Sequence, residues 1–543
     1  MAREYRPVRR DQPFLLPPDL RDWLPAGHLA WFVIDAVAVL DLSRVKVRGT
    51  PAKSAAGRAA YDPRVLLALL CYGYARGLRS SRKIERACAE DVAFRVICAQ
   101  DAPDHATIAR FRRRHFADEQ AMGDLFGQVL AIAAEAGLGR LGLIAVDGTK
   151  IAANASKDAN RTEQKLRDLA ARILAEAEEA DAAEDALFGA ARGDELPAEL
   201  ADPATRAQRI AAALAKLEAE RRAAQRERGE QAGAYLEKVS AGQAPRGRRP
   251  AGADVQAAQM RLDQAIARQQ ARIDDHQRRT AEKVRATGAG LRGPAPAPPG
   301  TDKRSRRAAV KLEKAKTRAA EAERKAAERD AARKGPGPVA NITDPHSHLM
   351  PLRGGGFIQG YNAQIARSAD GLILGGLVTS QTTDYASFGP LLARIAAAQD
   401  ILRAHAPGPL HRRRARAGIV LADAGYCSRS NLTSAGPARL IATGSRRDLA
   451  RAAAGQADPG RRSDGRALAN TAAAMAARLA SYPGNILYRQ RGPIAETPFG
   501  NRKHNQNFRS FSMRGIARAT GEWTFCNTID NLVKIHASGW QLA

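Results

Sequence analysis

LGLIAVDGT (residues 141–149) decides the fold class: a short apolar run closes on an acid, Asp147, as a buried strand would. The pattern returns far downstream in GIVLAD (418–423), which closes on Asp423. Between them stand GYNAQIARS (360–368) and LILGGLVTS (372–380), separated by Asp370-Gly371, a hairpin signal. Residues 385–400 read as a helix, 429–435 as a short helix, 440–443 as a strand, and most of 465–537 as helices. The order is strand, hairpin of two strands, helix, strand, helix, strand, helix. It specifies an α/β domain with a mixed sheet and a large insertion after the first strand. If the two acid-ended strands are neighbours, Asp147 and Asp423 converge at one edge.

Upstream, residues 1–137 read as short helices. Asp62-Pro63 is an N-cap followed by proline at the first helical position, opening the run Val65 to Leu70. Asp104 opens a second helix, with Ile108 and Phe111 on one face and Thr107, Arg110 and Arg114 on another. Residues 155–340 are rich in Ala, Arg, Glu and Lys, with heptad-like contacts at Ile210, Leu214 and Leu217. GQAPRGRRPAG (242–252), GAGLRGPAPAPPG (288–300) and KGPGPV (334–339) interrupt them. This predicts helices with narrow apolar stripes, joined by flexible connectors.

The chain has 543 residues, room for three or four domains, and 86 Lys and Arg against 57 Asp and Glu, a formal charge of +29. Such a charge favours a polyanionic partner. The longest apolar run, Val65 to Tyr72, is far short of the ~20 residues that span a bilayer. The basic N-terminus has no apolar stretch behind it, so a cytoplasmic protein is expected. Cys71, Cys88, Cys98, Cys427 and Cys526 are odd in number and without a CxxC pair, which indicates neither a disulfide scaffold nor a zinc site. Residues 151–340 carry a net charge of +9 and the remainder +20, so the insertion is not expected to be the main polyanion contact.

A third acid, Glu496, stands at the start of a helix in YRQRGPIAETPFGNRKHN (488–505). Three convergent carboxylates suit a pair of Mg²⁺ or Mn²⁺ ions, which prefer oxygen ligands and need charge balance. The competing reading is that each acid caps an element or pairs with an arginine. Asp344, His346 and His348 would share a face in strand geometry, like a transition-metal site, although no fourth ligand is apparent. Asp344 and Glu522 lie outside the triad, and changes there should be mild unless they unfold the protein.

In these motifs the chain resembles bacterial insertion-sequence transposases of the DDE type with an InsH-type helical N-terminal domain. The matching stretches are YDPRVLL (61–67), GLRSSRKIE (77–85), PDHATIARFR (103–112), VDGT (146–149), GYNAQ (360–364), LADAGY (421–426), residues 488–515 and EWTFCNTIDNL (522–532). The resemblance implies a ribonuclease-H-like catalytic domain (138–154 and 341–543) after a helical DNA-binding domain (1–137), with the helical insertion at 155–340. It implies that Asp147, Asp423 and Glu496 hold two Mg²⁺ ions, for which Mn²⁺ can substitute. The activity implied is cleavage and strand transfer at the ends of the element on double-stranded DNA, by a homodimer associated with the nucleoid. Related transposases carry a Tyr and an Arg before the Glu and a Lys after it; Tyr488, Arg491 and Lys503 stand there, with Arg489 a rival to Arg491. Arg110, Arg113 and Arg114, with Arg79, Arg82, Lys83 and Arg112, would hold the terminal repeats or else form a solvated face packed on the catalytic domain. A domesticated copy, or a regulator that only binds nucleic acid, is the rival function.

Overall fold

The computed structural model describes residues 19–45, 60–171, 203–243, 250, 253–291, 293–331, 339–352, 354–444 and 465–542. The chain divides into two compact units, Met1–Ala159 with Thr343–Gly460 and Thr471–Ala543, and Asn160–Ile342 with Arg461–Asn470. Among the described residues the strands are β1 (Leu143–Ala152), β2 (Asn160–Thr162), β3 (Val339–Asn341), β4 (His348–Pro351), β5 (Phe357–Ser368), β6 (Ile373–Thr379), β7 (Ile419–Ala422) and β8 (Ala438–Ile441).

In the first unit the sheet runs β4-β5-β1-β7-β8, with β6 also paired to β5. β5 is antiparallel to β1, β4 and β6, whereas β7 is parallel to β1 and β8 to β7, so β5 alone runs against the rest. The hairpin read at Asp370-Gly371 joins β5 to β6, and its turn needs Gly371 at φ +93°. β1 is longer than its apolar run. It continues five residues past Asp147, because β5 pairs with it as far as Ala152↔Gly360, while the pairing with β7 stops at Ala145↔Leu421. Asp147 is therefore inside its strand and not at its end.

The two faces of β1 bury different partners. Ile144 and Val146 join a core shared with the N-terminal helices. Leu143 and Ala145 face Met475, Leu479, Ile494 and Ala495 of the helices Gly465–Ala480 and Arg491–His504. The last helix, Ile516–Ala537, locks onto the sheet through Trp523, whose Nε1 donates to Gln364 O (2.9 Å), and Asn531, which bonds both backbone groups of Ile373 at 2.8 Å. Gly521 lets this helix meet the backbone of Phe116, where a Cβ would collide with the carbonyl. Asp62 and Asp104 cap their helices as read, accepting from Arg64 N (2.8 Å) and Thr107 N (2.7 Å).

Glu522 is fully buried and accepts from Ser512 N (2.8 Å), Ser512 Oγ (2.7 Å), Tyr74 Oη (3.1 Å) and Arg79 Nη1 (3.3 Å). Asp344 is buried under the Tyr361 hydroxyl, which lies 2.8 Å from both its oxygens. Both acids are structural. Residues 344–347 form a turn, closed by Ser347 N on Asp344 O (3.1 Å), so Asp344, His346 and His348 do not share a strand face. His348 Nδ1 lies 2.7 Å from Ser380 O instead.

Among its described residues the second unit holds three long helices, Pro203–Ser240, Ala253–Thr287 and Lys303–Ala331. β2 and β3 pair antiparallel, where the chain enters and leaves the insertion, and Asn341 Nδ2 donates to Asn160 Oδ1 (3.0 Å). The apolar stripes are narrow, as expected: Leu166, Ile210, Ala213, Leu217 and Ala340 form one small core, and Ala258, Leu312 and Ala315 another. Residues 244–249 and 251–252 of the first connector lie outside the described residues.

Glu522→Ala removes one partner of a buried ion pair and strands Tyr74 and Arg79, so it should cost roughly 3–5 kcal/mol. Urea denaturation checks this; a midpoint unchanged from wild type would show that these bonds contribute nothing net.

Candidate active site

The parallel register Leu143↔Ile419 and Ala145↔Leu421, carried two residues further on each strand, sets Asp147 beside Asp423. Asp147 lies on the same face of β1 as Leu143 and Ala145, which is the face covered by the helix Arg491–His504. Asp423 follows the last residue of β7 and caps the turn Ala424–Tyr426, accepting from Gly425 N (2.9 Å).

Glu496 arrives from the helix, and one guanidinium connects it to the sheet. Arg491 Nη1 donates to Asp147 Oδ2 and Nη2 to Glu496 Oε1, each at 3.1 Å. The side chains of Asp147 and Arg491 are 11 % and 14 % exposed, whereas that of Glu496 is 61 % exposed. Arg489 is exposed and takes no part in this bridge, so between the two rivals it is Arg491 that meets the carboxylates. Burial raises the Asp147 carboxyl to about 6; Arg491 opposes the rise and the neighbouring Asp423 adds to it.

Tyr488 donates to Ala422 O (3.3 Å), pinning the preceding helix, Tyr482–Arg489, against the residue before Asp423. Lys503 lies seven residues after Glu496, and its Nζ donates to Thr149 Oγ1, two residues beyond Asp147 on β1. Burial lowers the Lys503 ammonium below its ordinary value.

The opposite face of β1 carries a polar network to which the sequence reading assigned no role. The Gln364 amide lies across Gly148, where any Cβ would overlap it. Its Nε2 donates to Asp384 Oδ1 (2.8 Å), its Oε1 accepts from Tyr426 Oη, and Asn362 Nδ2 also donates to Asp384 Oδ1 (2.6 Å). Lys150 Nζ stands 3.5 Å from the same carboxylate. Gly425 is flanked by Asp384 Oδ2 and Asp423 Oδ1, which a Cβ there would meet at 2.9 and 3.0 Å. The glycine of VDGT and the glutamine of GYNAQ thus form one contact. The signals for Asp384 were an acid shortly after a strand and two amides inside a buried one.

Arg110, Arg113 and Arg114 are exposed on the helix His105–His115, as are Arg82 and Lys83 on the helix Ser81–Glu90. Arg79 and Arg112 are not part of that surface. Arg79 binds Glu522 and Ser510 O (2.8 Å) and lies 4.2 Å from the centre of the Phe508 ring, and Arg112 Nη1 donates to Arg79 O. Among the described residues no group of three His, Cys, Asp or Glu stands in a geometry that could hold a metal ion, and no helix is long and apolar enough to cross a membrane.

Residues 18–114 match the family model described as Transposase domain (DUF772), which supports a transposase. No curated protein and no solved structure matches the chain.

Because its folded pKa is raised, Asp147 favours the folded state only while protonated. That contribution is present below about pH 4 and lost as pH rises through about 6, up to about 3 kcal/mol in all. Asp147→Asn should therefore gain stability over wild type between pH 4.5 and pH 8, measured by thermal melts in EDTA. A constant gap between the two proteins across that range would refute the raised value.

Proposed function

We propose that the protein is a DDE-type DNA transposase with a ribonuclease-H-like catalytic sheet. The observation that carries this reading is the register of β1 and β7, which sets Asp147 beside Asp423, with Glu496 joined to Asp147 through Arg491. The strand order, with β5 alone reversed, supports the ribonuclease-H-like fold, and the transposase domain at 18–114 supports the activity.

Two Mg²⁺ ions, or Mn²⁺, are the cofactors of this reading. In donor type the three suit these ions, since all are carboxylates, hard oxygen ligands. They are not gathered around a common point, because Arg491 stands between Asp147 and Glu496, and binding the ions would require Glu496 to close on the two aspartates as Arg491 withdraws. Asp147 and Asp423 would hold the two ions between them, and Glu496 would complete the second. When bound, the ions supply the charge that activates the attacking oxygen and stabilises the leaving one.

The chain's own residues do the rest. Arg491 neutralises Asp147 and Glu496; with cations on the carboxylates its fork is free to grip a DNA phosphate in bidentate fashion. Lys503 holds a second phosphate from the same helix, and Tyr488 fixes the approach of that helix to β7. Arg110, Arg113 and Arg114 hold the terminal repeats of double-stranded DNA. After water has cut the ends, the freed 3′-hydroxyl attacks a phosphodiester of the target, joining to its phosphorus as the target's own 3′-oxygen leaves. Engaging two ends calls for a homodimer, working in the cytoplasm at the nucleoid.

Changing Asp147, Asp423 or Glu496 singly to Ala should reduce cleavage of an end-bearing duplex in Mg²⁺ by on the order of 10³-fold or more. Double changes should add little, since the three act as a unit. Binding to the ends should persist throughout. If Glu496→Ala cuts near the wild-type rate, the third ligand is misassigned; if the two aspartate variants also cut, the DDE chemistry is wrong.

A further inference from the structure

The insertion carries a feature that its modest net charge conceals. Helices Ala253–Thr287 and Lys303–Ala331 pack antiparallel and enclose a groove of about 510 Å³. One helix lines it with Arg261, Arg268 and Arg272, spaced i, i+7 and i+11. The other lines it with Arg304, Arg307 and Lys311, spaced i, i+3 and i+7, and with Arg318 two turns farther along. Against these seven cations stand two lining carboxylates, Asp254 and Asp302. Asp302 is engaged in capping its helix, accepting from Arg304 N (2.8 Å) and Ser305 N (3.2 Å).

Away from the groove some cations of the same helices are paired locally. Arg279 pairs with Asp275 (3.0 Å), Lys316 with Glu313 (2.9 Å) and Arg324 with Glu328 (3.6 Å). Among the described residues none of the seven groove cations makes an ion pair. What sets the groove apart is the gathering of seven cations against two carboxylates; like charges on two facing helices repel and favour an anionic occupant.

The chemistry of the lining narrows the partner. Six of the seven cations are guanidinium groups, whose forks match phosphate oxygens. No aromatic side chain lines the groove on which an unpaired base could stack, which disfavours single strands. From Arg304 to Arg318 the stripe runs about 21 Å, the rise of about six nucleotides along one strand of a duplex. We propose that this groove binds the phosphate backbone of duplex DNA without reading its sequence, a second DNA contact separate from the carboxylate site and from the N-terminal arginines. Its role is to hold flanking or target DNA through charge alone.

The experiment uses the full-length chain, a fluorescent duplex of arbitrary sequence, EDTA and a salt series read by anisotropy. The triple variants R261Q/R268Q/R272Q and R304Q/R307Q/K311Q should each flatten the dependence of log K on log salt by about 3. Each should also weaken binding at least about 10-fold at low salt. These side chains are solvent-facing, and thermal melts verify folding. The charge-preserving variant R261K/R268K/R272K should keep the wild-type slope. An unchanged slope in the Gln variants overturns the proposal and leaves an acidic protein as the groove's partner. A Lys variant that fails as badly as the Gln variant also overturns it, because charge is then not what binds. EDTA suppresses cutting, and the N-terminal arginines, Arg491 and Lys503 are the same in every variant, so the change in slope from wild type reports on the groove, whatever becomes of the carboxylate triad. Conversely, failed cleavage with an intact, variant-sensitive slope would count against the triad only.

Discussion

The site depends on a mismatch of lengths around β1. β5 follows β1 along its whole length, while β7 leaves it at Ala145. Up to that residue β1 is flanked on both sides and can be purely apolar. Beyond it one flank is open, and a carboxylate can stand in a continuing strand without meeting a second sheet neighbour. Asp423, just past the end of β7, faces the same opening. Had β7 been as long as β5, both acids would lie within the sheet, and burying two charges there without compensation would cost several kcal/mol.

Compensation comes from the helix that covers this face. Arg491 is held between a mostly buried acid and a mostly exposed one, and its short distance from both makes it the counter-ion of the site. Behind the strand, Gln364, Asn362, Lys150 and Asp384 form a wall of amides and one ion pair. That wall has no room for a side chain at Gly148, so the backbone next to Asp147 is fixed from the rear. The acid's position is set by packing on one side and by charge on the other.

Much of this was legible in the sequence, for physical reasons. The apolar runs, the Asp-Gly hairpin and the helix caps at Asp62 and Asp104 act locally and left local signatures. The end of β1 was not legible, because it is set by β5, whose pairing residues lie more than two hundred positions away. Asp384 and Gln364 were silent because a polar residue in a buried strand looks alike whether it builds a network or interrupts a core. The burial of Glu522 and Asp344 was silent for the same reason: their partners, Tyr74 and Arg79 for one and Tyr361 for the other, are tertiary. Net charge averaged over the insertion erased the sorting of its cations, since composition records how many charges there are and not which way they face.

The β2–β3 ladder has a consequence for how the chain can be assembled and how it can change. The insertion departs and returns through two three-residue strands bonded side by side. To the rest of the polypeptide it is topologically a tight turn, however many residues it contains. The entropy of bringing Ala159 and Thr343 together is met inside the insertion's own small core, and it grows only with the logarithm of the intervening length. Lengthening, shortening or replacing those helices therefore leaves the register of β1 on β5 nearly indifferent. A lineage of such proteins could exchange one excursion for another and keep the carboxylates where they are.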